Sequence, residues 1–244
     1  MRLTTPGQSE ADGKAFERRR LWAEYARRDR ELNPALYAPW TEASALMHFG
    51  ATLNAAKMLH RAGVFPGPHT ECLEIGFGSR GWLTDLIRWG VPERNLHGIE
   101  LYTPRANAAR ELLPSADLRT GDASRLPWEN ESFQIVVAST VFTSILDPSV
   151  REMVAREITR VLAPGGALLW YDFAVNNPRN PQVRKVGRAE LRRLYPALSG
   201  EIRSVTLAPP LARWIAPRSI ALATLAETIP CLRTHLLAVL VKSR

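Results

Sequence analysis

Residues 71–90, ECLEIGFGSRGWLTDLIRWG, constrain the fold of this chain more than any other segment. A short apolar run ends at Glu74, glycines follow at Gly76, Gly78 and Gly81, and a helical pattern starts at once. Glycine reaches backbone angles closed to other residues and lets a ligand come close to the main chain, while a helix start leaves N–H groups unpaired. The spacing G-x-G-x-x-G is weak evidence alone. Placed between a strand and a helix, it points to a parallel sheet that binds a nucleotide-like ligand beyond the carboxyl ends of its strands.

The rest of the chain agrees with that architecture. From Glu71 onward short apolar runs alternate with helical stretches, the pattern of βα units around a mostly parallel sheet. Strands are predicted at 71–75, 96–100, 117–119, 133–139, 167–173, 202–207 and 235–241. Between the fourth and fifth, Asp147 as N-cap and Pro148 at the first helical position open a helix with Val150, Val154, Ile158 and Val161 inward, and Pro164-Gly165-Gly166 ends it with a turn. Upstream, 11–32 reads as a surface helix with ion pairs such as Arg20/Glu24 and Arg27/Glu31. Thr41 then caps a second helix whose apolar side would be Leu46, Phe49, Leu53 and Ala56. The predicted fold is therefore α/β, a Rossmann-like, seven-stranded, mostly parallel sheet with helices on both faces, residues 69–244, preceded by an N-terminal helical cap or lid, residues 1–68. Near the end, Pro217 interrupts a helical stretch over 211–229, read as a buried helix in preference to one docked on a membrane or a second subunit.

Composition narrows the class. A length of 244 residues suits one sizeable domain plus an appendage, and 45% hydrophobic residues allow a packed core. Cys72 and Cys231 form no CxxC pair and the five histidines fit no ligand spacing, so neither a disulfide scaffold nor a metal site is expected. The start lacks the apolar stretch of a signal peptide and no run approaches the roughly 18 residues of a membrane span, which makes the cytoplasm the expected location. Of the net charge of +8, residues 173–244 carry 12 basic against 3 acidic groups. Arg184, Arg188 and Arg192 could form a basic stripe, but no aromatic residues interleave with them for base stacking, so a nucleic-acid partner is not expected.

Two carboxylates define the ligand further. Glu100 ends the strand LHGIE, 24 residues after Gly76, in position to accept from two ribose hydroxyls. A dehydrogenase would fit equally well to this point. Asp122, in RTGDASRLPW just after the third strand, can accept from an exocyclic adenine amine while neighbouring N–H groups meet ring nitrogens.

With E-x-G-x-G from Glu74, the acidic strand end at Glu100, Gly121-Asp122-Ala123 and the turn Leu162-Ala163-Pro164-Gly165-Gly166, residues 70–175 resemble the class I S-adenosylmethionine-dependent methyltransferases, in particular the small-molecule group called methyltransferase type 11. The resemblance implies S-adenosylmethionine as cofactor, with Glu74, Gly76 and Gly78 on the methionine side, Glu100 at the ribose, Asp122 and Ala123 at the adenine, and Thr140 close to the sulfonium. Many members have G-x-G-x-G, whereas the last of those glycines is Arg80 here, with Gly81 following. The implied reaction is methyl transfer to an oxygen or nitrogen of a small-molecule acceptor such as a natural product, a sugar or a related metabolite. An RNA-modifying enzyme, a non-catalytic cofactor-binding protein of this fold and a nicotinamide enzyme remain the alternatives.

The acceptor should lie beyond the fourth and fifth strands. Phe142, Thr143 and Ser144 follow the fourth; Tyr171 and Asp172, which end the fifth, are the candidates for catalysis. Asn176, Asn177 and Arg179 in the next loop could orient an acceptor, although Asn before Pro is also ordinary turn chemistry. For Asp172 a structural pairing with an arginine is the competing reading. His48 falls nearly opposite Leu46 and Leu53 on a helical wheel and reads as a solvated histidine. Tyr37 and Trp40 could close over the cofactor or simply pack, and Trp82 and Trp89 are expected in the core.

Overall fold

The computed structural model describes residues 6–78, 81–178 and 180–244, with the side chains of residues 6–12 and Tyr37 excepted. Arg80 and Arg179 therefore lie outside the described residues. The chain runs α1 (Pro6–Glu31), α2 (Glu42–Arg61), β1 (Cys72–Ile75), α3 (Leu83–Arg88), β2 (Leu96–Glu100), α4 (Thr103–Leu112), β3 (Asp117–Thr120), β4 (Phe133–Ser139), α5 (Pro148–Val161), β5 (Leu162–Phe173), α6 (Arg188–Leu194), β6 (Leu198–Leu207), α7 (Pro209–Ile215), α8 (Ile220–Thr228) and β7 (Arg233–Lys242). The strands form one sheet in the order β3-β2-β1-β4-β5-β7-β6. All neighbours are parallel except β7, which runs antiparallel to both β5 and β6. The chain reverses direction from strand β1 outward, towards β2 on one side and β4 on the other, and that switch point is where open α/β sheets bind ligands.

Alternation of side chains along the strands splits the core into two layers. On one face Leu73, Val136, Leu168, Trp170 and Ala238 pack against Val150, Val154, Ile158 and Val161 of α5, the four positions expected to face inward, and against Leu191 and Leu194 of α6. Leu21 of α1 joins this layer, so the first helix is docked on the sheet domain. On the other face Cys72, Ile135, Leu169, Leu237 and Val239 meet Ala51, Ala55, Met58 and Leu59 of α2 together with Leu83 and Leu86 of α3. The cap over α5 is as expected, with Asp147 accepting from the Ser149 N–H at 2.8 Å.

Three elements differ from expectation. The helix α2 buries Ala43, Ala51, Thr52, Ala55, Met58 and Leu59 and turns Phe49, 66% exposed, and Leu53 outward, because its small residues give the closest approach to the sheet. The turn Pro164-Gly165-Gly166 lies within β5: Phe133 pairs with Leu162 and Ile135 with Ala167, so the extra residues are accommodated as a bulge. A Cβ at Gly166 would stand 2.8 Å from the Gln134 carbonyl, which leaves room only for glycine. The stretch expected as one buried helix is two helices, α7 and α8; in α8 only Ala223 is buried, while Ile220, Leu222 and Leu225 face outward.

Candidate active site

The loop after β1 is shaped by Glu74. Its carboxylate is buried and accepts from the Trp82 N–H at 2.9 and 2.8 Å and from the Leu83 N–H at 3.0 Å. A Cβ on Gly81 would overlap that carboxylate, so glycine at this position is a steric requirement of the carboxylate-to-backbone clamp. Gly76 and Gly78 take positive φ angles of 64° and 58°, and a Cβ on Gly76 would meet the Val141 side chain at 2.8 Å. Glu74, expected on the methionine side, thus has its oxygens occupied in holding the loop. Burial, with the Asp85 and Glu100 charges adding to it, pushes its carboxyl up to about 8.

Glu100 joins the glycine loop to the end of β2. One oxygen accepts from the Gly78 N–H at 2.9 Å and the other from the Tyr102 N–H at 2.8 Å. A carboxylate offers about four lone-pair positions, so two remain for further donors. At the end of β3, Asp122 accepts from the Ser124 N–H at 2.8 Å, and its other oxygen lies 3.7 Å from Lys14 Nζ of α1. Ala123, the next residue, is half-buried against the core.

A cavity of about 340 Å³ opens beside these groups, lined by Leu101, Thr120, Gly121 and Asp122 from the sheet and by Arg18, Arg19 and Trp22 from α1. Its size falls at the lower end of the range for small-molecule sites. Trp22 stands edge-on to Tyr102 with ring centroids 5.2 Å apart, and Arg105 lies 4.8 Å over the Tyr25 ring while pairing with Asp29. Sequence reasoning missed this wall, taking α1 as a surface helix. The readable signal was Leu21, Trp22 and Tyr25, a short apolar cluster in an otherwise charged helix.

The residues expected at the acceptor lie around the carboxyl ends of β4 and β5. Asp172 is fully buried and accepts from the Thr143 N–H at 3.0 Å, the Thr143 hydroxyl at 2.5 Å and the Phe173 N–H at 2.9 Å. Enclosure pushes its carboxyl up to about 6 against these bonds. It clamps the turn after β4; the partner it holds is a threonine, with Arg151 acting through its field. Phe142 and Thr143, expected to line the acceptor, are buried too; Phe142 packs between Trp170 and Tyr195. Tyr171 is half-buried, its hydroxyl 3.0 Å from Thr206 Oγ1 and its ring stacked at 4.8 Å on the buried His235, whose imidazole is pushed down to about 3 and stays neutral. Burial raises the Tyr171 hydroxyl above its ordinary value. Asn176 is exposed and accepts from the Lys185 N–H, bracing the loop, and Asn177 is exposed beside it.

Thr140, at the carboxyl end of β4, has a positive φ of 55° and its N–H bonds the Tyr171 carbonyl at 2.7 Å. This unusual backbone sits beside Val141, the side chain packed over Gly76, so Gly76 and the end of β4 form one wall. His48 is half-exposed and paired: its Nε2 lies 3.1 Å from an oxygen of the buried Asp85. Its ring is 6.5 Å from that of Trp82, which is in turn 6.2 Å from Tyr171. Since 37 residues separate His48 from Asp85, no local pattern announces the pair. Of the expected basic stripe, Arg184 binds Glu190 and Arg188 binds the Ile202 carbonyl, bonds internal to the fold. Among the described residues no cluster of His, Cys, Asp or Glu could hold a metal ion.

Residues 73–170 match the family model described as a methyltransferase domain. Among curated relatives, a phthiotriol/phenolphthiotriol dimycocerosates methyltransferase of Mycobacterium ulcerans is 37% identical over 43% of this chain, and a demethylmenaquinone methyltransferase of Roseiflexus castenholzii is 28% identical over 60% of it. The matches span 38% and 62% of the lengths of those two relatives. Among solved structures, geranyl diphosphate C-methyltransferase from Streptomyces coelicolor A3(2), crystallised with Mg2+, geranyl diphosphate and S-adenosyl-L-homocysteine, superposes with a TM-score of 0.61 at 18% identity, covering 86% of this chain and 87% of that one.

Proposed function

We propose that this protein, which carries a methyltransferase domain of the class I, S-adenosylmethionine-dependent type within its Rossmann-like sheet, binds S-adenosylmethionine and transfers its methyl group to an oxygen or nitrogen of a small-molecule acceptor. The observation that carries the reading is the cavity of about 340 Å³ lined by Leu101, the residue after Glu100, by Asp122, and by Trp22, Arg18 and Arg19 of α1. The set of hydrogen-bond acceptors suits an adenosine. Glu100 keeps lone pairs for two ribose hydroxyls, Asp122 accepts from the exocyclic amine, and Trp22 and Leu101 offer flat and aliphatic surfaces to the base. The helix α1 closes the site as the expected lid would.

The bound cofactor supplies a sulfonium-borne methyl group open to in-line displacement. The chain's part is then to exclude water, orient the acceptor and take up a proton where the acceptor sheds one. The wall formed by Gly76, Thr140 and Val141 borders the methionine side, and Tyr171 and Trp82 border the acceptor. Asp172 acts as a positioning residue by fixing Thr143 and hence the turn that follows Thr140. Among the described groups, His48, half-exposed and with its Nε2 3.1 Å from an oxygen of the buried Asp85, serves as the proton acceptor. Relatives named for lipid and quinone substrates favour an apolar acceptor over a sugar.

Calorimetric titration with S-adenosylhomocysteine, run beside NAD, tests the cofactor. Binding of the former alone is expected; binding of NAD alone would overturn the reading and move the search to redox chemistry. A radiolabelled methyl-transfer screen over quinones, phenols and hydroxylated lipids then tests the acceptor class.

A further inference from the structure

The helices α7 and α8 present a surface unlike the rest of the molecule. Ile220, Leu222 and Leu225 of α8, Ile229 just after it and Trp214 of α7 are all between 46% and 63% exposed, and α8 buries only Ala223. Five large apolar side chains from a stretch of sixteen residues exceed the scattered exposure normal for a soluble surface. From Ile220 to Leu232 the single charged residue is Glu227, and it is turned inward: it accepts from the Thr206 N–H at 3.0 Å and lies against Gly50 of α2. The neighbouring turn of α2 adds the exposed Phe49 and Leu53 beside Gly50.

From Pro209 to Arg233 the chain carries three basic side chains, Arg213, Arg218 and Arg233, and one acid, the inward Glu227. Arg218 is exposed between the two helices with its guanidinium 5.5 Å over the Trp214 ring. Exposed aliphatic side chains with a tryptophan and an arginine at the rim, and no outward acidic group on α7 or α8 themselves, are the composition of an element that lies in the headgroup region of a bilayer. No described helix is long and apolar enough to cross a membrane, so the contact is with its surface.

We infer that α7 and α8 dock the protein on a membrane surface bearing anionic lipid, a binding activity separate from methyl transfer. The inner side of the same hairpin reaches the acceptor wall, since Glu227 bonds Thr206 and the Thr206 hydroxyl bonds Tyr171. A bilayer-borne molecule would then meet the site without crossing water. A second copy of this chain is the competing occupant, but self-association would bring like-charged rims together, whereas anionic headgroups neutralise them.

The test is sedimentation of the purified full chain with vesicles of phosphatidylcholine and phosphatidylglycerol in about a 3:1 ratio. Binding is expected, weaker to phosphatidylcholine alone and weakened by added salt. Leu222→Ser with Leu225→Ser, both at outward positions, is expected to lower partitioning at least about tenfold while leaving affinity for S-adenosylhomocysteine unchanged, which also reports that the variant is folded. Arg218→Gln is expected to narrow the preference for anionic vesicles. No sedimentation of the parent protein, or equal partitioning of the double variant, would overturn the inference. So would a parent that is dimeric in analytical ultracentrifugation, with the double variant monomeric and neither binding vesicles. None of these outcomes bears on cofactor binding, which the titration tests separately.

Discussion

Glu100→Gln is the sharpest probe of the cofactor site. The two side chains have nearly the same shape, and both Glu100 oxygens face N–H donors, Gly78 at 2.9 Å and Tyr102 at 2.8 Å. A glutamine can serve only one of them; its amide NH2 must confront the other, leaving a donor without an acceptor. Hydrogen bonds to a charged group contribute about 1.5–3 kcal/mol each, so a loss of that order is expected in stability, or a melting temperature lower by about 2–4 °C per kcal/mol in a chain of this size. On the ligand side the same change removes one of the two acceptors offered to the ribose. A further 1.5–3 kcal/mol corresponds to roughly a ten- to hundredfold weaker dissociation constant. Calorimetric titration with S-adenosylhomocysteine, well below the melting temperature of the variant, measures the second effect apart from the first. A folded variant with the parent's affinity would refute the assignment of Glu100 to the ribose, whatever its stability.

Other sites give independent tests. Asp122→Ala is expected to weaken the same affinity by about tenfold through loss of one acceptor, and unchanged affinity would remove Asp122 from the adenine side. Trp22→Ala should weaken cofactor affinity with little change in melting temperature, because half of the side chain is already solvated; a large stability loss with intact affinity would make Trp22 a packing residue. His48→Ala is expected to lower turnover at constant cofactor affinity, and unaltered turnover would exclude it as proton acceptor. Glu74 makes stability depend on pH: its carboxyl titrates at about 8 in the folded chain against 4.5 ordinarily, so the folded state holds a proton that the unfolded chain has released. Stability should therefore fall as pH rises between those values. In denaturant unfolding at about pH 6 and pH 8.5 the decline should shrink in Glu74→Gln, which cannot titrate, and equal declines would refute the assignment.

The parallel sheet and its ligand edge were legible because they are written locally. Strand, glycine turn and helix follow one another within residues 71–90, and the alternation repeats through β5. The spacing of Val150, Val154, Ile158 and Val161 also placed a whole helix face correctly, since their shared side is apolar and the opposite side charged. Where faces are less distinct, local pattern misleads. The larger apolar residues Phe49 and Leu53 suggested the wrong side because half of the buried face of α2 is alanine, Ala43, Ala51 and Ala55, which packs closely but contributes little to periodicity. The candidate site was half legible in the same sense. Glu100, Gly78 and Asp122 come together at the strand ends, yet Trp22, Lys14 and the pair His48 and Asp85 join them across long separations that no sequence window contains.

Asp172 shows how the two halves of the site are mechanically joined. It holds Thr143, and one residue further on the Ser144 carbonyl accepts from Arg20 of α1 at 2.5 Å. Glu17, buried on the same helix, binds that arginine and accepts from the Leu146 N–H at 2.5 Å. Arg151 then closes the turn from below through the Ile145 and Arg184 carbonyls and Glu190. The pairs Arg20–Glu17 and Arg151–Glu190 are buried or half-buried, so removing one partner leaves the other uncompensated, a change that costs about 3–5 kcal/mol for a buried pair. The turn after β4 is thereby tied both to β5, beneath the acceptor, and to the helix that walls the cofactor cavity. Asp172→Asn tests the tie: its amide can accept from only one of the Thr143 donors, so the turn loosens, and a higher KM for the acceptor together with weaker S-adenosylhomocysteine binding is expected. A loss confined to kcat, with both affinities intact, would instead return Asp172 to the chemistry and break the argument that it works through position.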